Sequence, residues 1–213
     1  MEIPAIFAAA GADGGLLAIA PADGMCVPSP GCPAVPFGDA AGRLPRTEGR
    51  EPAVVADWTS LAAGGFDERV VKSMRVRGRD VWFMTWVADA DDLMDAFNTT
   101  ADTVLAPYHS MDGRDAMEDI VSMSDSVIPA VFVRSGSALS RGRAPSGIRE
   151  TLDILDGIGF GRTCVVDADS SVTPYEWGRI LESFPSCIPF VADPSITEGF
   201  RDVVAPLRRP SRV

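Results

Sequence analysis

A chain of 213 residues is the length of one domain and can bury a sizeable core. Its formal net charge of −11 repels phosphate backbones and argues against general nucleic-acid binding. No apolar run reaches the roughly 18–20 residues that cross a bilayer, and the opening MEIPAIFAAAGADGG lacks the basic start of a signal peptide. The expectation is a cytoplasmic protein with neither a membrane nor a nucleic-acid partner.

The chain opens on two short apolar runs, IPAIF at 3–7 and LLAIA at 16–20, separated by a Gly/Asp-rich turn. Residues 21–50 carry six prolines and little periodicity, which reads as an irregular loop within the single domain 1–213, a lid over one end or a plain connection. From residue 52 the pattern becomes regular. Strands are expected at 53–57, 81–87, 103–108, 127–133, 162–167 and 187–193. Amphipathic stretches between and after them predict helices at 66–76, 89–98, 113–123, 146–158, 173–184 and 197–207, with Thr173 as an N-cap and Pro174 at the first helical position.

Strands this apolar are buried on both faces, and strict strand–helix alternation implies right-handed crossovers and a parallel sheet. The fold class expected is α/β, a (β/α) barrel of the TIM type with seven to eight parallel strands, incomplete if no eighth strand exists. Only seven strands can be counted with IPAIF included, and the last periodic stretch reads as a helix.

Cys164 and Cys187 fall in apolar strands and read as small core residues. Cys26 and Cys32 sit in the Pro/Gly-rich loop. Two thiols and one remote histidine fall short of a four-ligand zinc site, so neither metal nor cofactor is expected.

Several segments carry a family resemblance: EIPAIF at the start, VVADWTSLAAGG (54–65), the strand–helix–strand run 81–111, and the stretches 139–181 and 188–203. In these the chain resembles the histidine-biosynthesis barrels, the phosphoribosyl-formimino carboxamide ribotide isomerase and its cyclase relative, and looks closest to their divergent archaeal-type members. The resemblance implies a TIM barrel and a phosphorylated ligand. The positions that match the family's working residues differ, however. Phe7 stands at the acid/base aspartate of the first strand and Arg134 at that of the fifth. Ser171-Val172-Thr173 replaces an acidic turn, and Asp193-Pro194 replaces the Gly-Gly pair that would hold a phosphate. The family's isomerase reaction is therefore not expected.

In such barrels function lies at the C-terminal ends of the strands. Asp57 and Asp167 end long apolar strands and are candidate catalytic carboxylates, although an aspartate there also serves as a helix N-cap. His109, the one histidine, completes the catalytic candidates because its ordinary pKa lies near neutrality. Arg134, Ser135, Gly136, Arg141 and Arg143 form the most basic loop of an acidic chain and are candidate anion ligands. Thr59, Thr85, Asp89, Tyr108, Asp169, Asp193 and Ser195 also fall at strand ends. Trp58 and Trp86 lie near strand ends, where they could line a pocket. Two functions follow: an isomerase or lyase acting on a small phosphorylated or carboxylated metabolite, or a catalytically silent barrel used for binding or assembly. A homo-oligomer is compatible with either.

Overall fold

The computed structural model describes residues 1–44, 51–67, 70, 76, 78–99, 101–142 and 145–207. Eight parallel strands close into a barrel: β1 (Glu2–Ala10), β4 (Ala53–Asp57), β5 (Val81–Met84), β6 (Thr103–Pro107), β7 (Val127–Arg134), β10 (Thr163–Asp167), β11 (Cys187–Phe190) and β12 (Val203–Pro206). Each pairs with the next in chain order, and β12 returns to β1 through Ile3↔Val204. Followed once around, these pairings carry the starting residue from Phe132 to position 124, a displacement of eight residues, which is the shear of a TIM barrel.

Helices cover the outside: α2 (Trp58–Ala63), α3 (Ala90–Phe97), α4 (Arg114–Met123), α5 (Ile148–Ile158) and α6 (Pro174–Ser183), preceded in the chain by the short α1 (Phe37–Ala41). Thr173 does cap α6. Its hydroxyl accepts from Glu176 N–H while the Glu176 carboxylate reaches back, and Pro174 opens the helix. The helix expected at 66–76 lies mostly outside the described residues.

Strand alternation sorts the apolar residues into two cores. Ile3, Ala5, Phe7, Val54, Ala56, Trp82, Met84, Leu105, Ile128, Phe132, Cys164, Val166, Ile188, Phe190 and Val204 fill the barrel. Val55, Phe83, Val104, Val131, Val165 and Cys187 face the helices, against Leu93, Ile120, Leu155 and Ile180. Complete burial of a phenylalanine such as Phe7 or Phe190 stabilises the fold by roughly 1.5–3 kcal/mol.

One expectation needs correction. No helix spans 197–207; a 3-10 turn at Pro194–Thr197 is followed by β12. Gly199, at φ +96°, interrupts any helix there, and the β-branched pair Val203-Val204 completes the ring. The barrel is therefore closed, and its eighth strand is present. The LLAIA run does form a strand, β2 (Leu16–Ile19), but antiparallel to β1 and outside the ring, where it continues into β3 (Ala34–Pro36). Two further short strands, β8 (Ser137–Ala138) and β9 (Ser146–Gly147), extend antiparallel from β7. No helix among the described residues is long and apolar enough to cross a membrane.

Candidate functional site

The alternation that builds the two cores also decides which strand-end residues face the barrel mouth. On β4, Val54 and Ala56 point inward and Val55 outward, so Asp57 falls on the helix side. It is fully buried and caps α2. One carboxylate oxygen accepts from Ser60 N–H at 3.1 Å, the other from the Ser60 hydroxyl at 2.5 Å and the Thr85 hydroxyl at 3.4 Å. Burial pushes the Asp57 carboxyl up, against the pull of these hydrogen bonds.

Asp167 follows the same parity on β10, where Val166 is inward and Val165 outward. It too is fully buried, and it accepts Ser171 N–H at 2.9 Å and Val172 N–H at 3.2 Å. Burial raises its carboxyl as well. Both carboxylates thus fold the turn that follows their own strand. Asp89 and Asp193 cap the next turns in the same way, and the Thr59 hydroxyl accepts Ala10 N–H.

The residues that do face the mouth are aromatic. Phe7 meets Trp58 edge-on at 5.8 Å and stacks on Phe190 at 5.9 Å. His109 follows the inward parity of Leu105 and stands edge-on to Phe132 at 5.1 Å and to Trp86 at 5.9 Å. Trp58, Trp86 and His109 are half-buried, so parts of these rings remain open to solvent. Burial holds the His109 imidazole below its ordinary pKa, neutral at pH 7. Its Nδ1 is buried and has no hydrogen-bond partner; among the described residues only Asp169 Oδ1 and Trp177 Nε1 share that condition. Trp177 belongs to the buried face of α6, packed on Phe200 and away from the mouth.

The basic loop is already engaged with the chain itself. Arg134 ends β7 exposed, and Asp167 is not its partner. Ser135 N–H donates to Asp169 at 2.9 Å, and Gly136 N–H donates to the Ser171 hydroxyl at 3.0 Å. Partial burial would raise the Asp169 carboxyl, but the Ser171 hydroxyl, the Ser135 N–H and the Arg134 charge together hold it below the usual carboxylate range. Asp169 therefore occupies the position an anionic ligand of this loop would take. Arg141 pairs with Asp112 at 2.7 Å and lies 5.8 Å over the Trp86 ring. Arg143 lies outside the described residues. A cavity of about 300 Å³ opens beside this arm, lined by Tyr108, Met111, Asp112, Met117, Ser140 and Arg141.

The segment 21–50, expected to be irregular throughout, contains β3 and α1, and the loop before them covers the mouth. Cys26 and Val27 are buried within the barrel core, and the Cys26 thiol donates to the Phe190 carbonyl at 3.2 Å. The Ser170 hydroxyl donates to the Gly24 carbonyl at 2.7 Å. Cys32 stands apart from this contact, half-buried beside Ser29. Of the aromatic frame, the sequence marks Trp58 and Trp86 as strand-end residues, and leaves Phe132 and Phe190 unmarked.

No family model matches this chain, and no curated protein matches it.

Proposed function

We propose that this barrel binds a small planar anion at its mouth, as a catalytically silent relative of the histidine-biosynthesis barrels. The observation that carries the reading is the buried, unpartnered Nδ1 of His109, held among Trp86, Phe132 and the half-open mouth. A buried polar atom left unpaired costs about 1–3 kcal/mol, a cost that a ligand's hydrogen bond removes. Trp86, half-buried with Arg141 over its ring, offers an aromatic partner to a planar body. Arg134 and Arg141 at the rim offer charge, once the anion displaces Asp169 or Asp112.

Acid/base chemistry finds less support. Isomerisation of the family's kind requires two titratable groups on opposite sides of the reacting atom. Asp57 and Asp167 face the helices, and Phe7 and Arg134 occupy the two positions where the resemblance implies an acid and a base. Among the described residues, burial is the one influence on the His109 imidazole, with no carboxylate acting on it.

The test is a titration with adenosine 5′-monophosphate and with 4-hydroxybenzoate, planar anions carrying a phosphate and a carboxylate, followed through tryptophan emission and calorimetry. Saturable binding that weakens at least tenfold in His109→Ala supports the reading. No saturable signal from either probe, or binding indifferent to His109→Ala, overturns it.

A further inference from the structure

Residues 20–33 form a compact loop whose ends meet. Ala20 N–H donates to the Pro33 carbonyl at 3.1 Å, and β2 and β3 pair directly behind it. Its tip, Cys26 to Pro28, is buried, whereas 22–24 and 29–31 are exposed on either side. The backbone bonds Met25 N–Ala22 O and Cys32 N–Ser29 O are internal to the loop. Its hold on the barrel includes the two side-chain bonds already described, from Cys26 to Phe190 and from Ser170 to Gly24. Ser170 makes its bond at φ +55°, a conformation that a serine adopts at a cost.

Two glycines frame the tip, Gly24 at φ +77° and Gly31 at φ +85°, and a Cβ at either would meet nothing within 4 Å. Open space around left-handed glycines on both sides of a buried tip is what a hinged segment needs. A cavity of about 440 Å³ already separates the flank of the loop from the barrel end, lined by Pro21, Gly24, Met25, Ala192, Pro206 and Leu207. The tip packs in the barrel core with Phe7, Phe190 and Ala168, and Asp167 lies near enough to act on the Cys26 thiol.

We propose that the tip between Gly24 and Gly31 is a lid that swings on these two glycines away from the mouth, and that the space vacated by Cys26 and Val27 receives the apolar or aromatic body of the ligand against Phe7 and Phe190. This extends the ligand-binding reading, on which the ligand half of the proposal rests. The lid half does not depend on it. The ligand's charged end stays at the rim with Arg134, its ring replaces the tip, and the lid closes over its edge.

The four cysteines report on this directly. The full chain is pulsed with iodoacetamide under native conditions, and each thiol is quantified by peptide mass spectrometry. Cys32, half-buried on the loop's outer side, is alkylated first. Lid opening makes Cys26 react about a hundredfold or more faster than Cys187, a wall residue on the helix side, with a rate indifferent to low urea. Ser170→Ala, which removes one latch, speeds Cys26 several-fold and leaves Cys187 unchanged. Equal rates and equal urea dependence for Cys26 and Cys187 would overturn the lid, since the loop would then open only when the barrel unfolds. Addition of the planar anion that binds in the titration above should slow or speed Cys26 by at least threefold. Binding that leaves Cys26 labelling untouched would preserve the rim site and overturn the inner one. An open lid with no binding of either probe would overturn the ligand half alone.

Discussion

Asp169 accepts the backbone N–H of Ser135 at 2.9 Å, so the turn after the sixth barrel strand supplies a carboxylate to the basic turn after the fifth. The neighbouring bond from Gly136 N–H to the Ser171 hydroxyl repeats the link one residue on. An aspartate thereby sits where an anion-binding loop would hold its ligand. The two turns are joined by these bonds, and from the second the Ser170 hydroxyl reaches the Gly24 carbonyl.

This pairing sets a pH dependence. The Asp169 carboxyl is held below its usual range in the folded chain, so the stabilisation is present above the unfolded pKa, near 3.9, and is lost as pH falls through the lower folded value. Asp169→Asn should lower urea stability at pH 7 and remove that part of the acid sensitivity. An unchanged acid profile in the variant would show that the pairing contributes nothing.

His109 gives the opposite kind of experiment. Burial lowers its pKa, so the unfolded chain binds the proton more tightly than the folded one. Its effect is absent above the unfolded pKa of about 6.5, and stability falls as pH drops from there toward the folded value. The difference in urea stability between the native chain and His109→Gln, measured at pH 7.5 and 5.5, isolates this from the carboxylates. The native chain should lose more on acidification; parallel losses would contradict the burial argument.

Asp57 serves as a cap and a hydrogen-bond hub. Asp57→Ala should cost about 1–3 kcal/mol, since it strands Ser60 N–H and leaves two buried hydroxyls short of an acceptor. Asp57→Asn should cost less, because it keeps the acceptor for Ser60 N–H. If ligand binding, measured on the folded variant, proves as sensitive as stability, Asp57 belongs to the site after all.

Closure through β12 is tested at Val204, which is fully buried inside the barrel and paired with Ile3 and Phe190. Val204→Ala should destabilise by about 1–3 kcal/mol in urea denaturation. A neutral result would mean that the eighth strand packs loosely.

How much of this was readable in the sequence follows from the physics of each part. The run of buried parallel strands was legible because each is a short Val-, Ile- or Phe-rich segment followed by a polar turn. β12 was not, since the charged approach TEGFRD resembles a helix start and runs straight into it. The position of Asp57 and Asp167 at strand ends was legible, but their facing was not. In AVVAD and TCVVD both faces are apolar, so the alternation that turns the aspartates outward leaves no mark. His109 lies in the turn just past β6, and only the fold places its ring against Phe132 and Trp86. The lid tip was masked by its surroundings, three buried residues within a polar, proline-rich stretch.

The chain has a single histidine, so its imidazole can be read alone in a long-range proton–nitrogen NMR spectrum. The measurement that bears most directly on the ligand site is the His109 Nδ1 shift during titration with the planar anion. Expected is a saturable shift that follows the same binding curve as the tryptophan emission, as the unpartnered nitrogen gains its hydrogen bond. Saturation of the tryptophan signal with the Nδ1 shift unmoved would contradict a site built on His109.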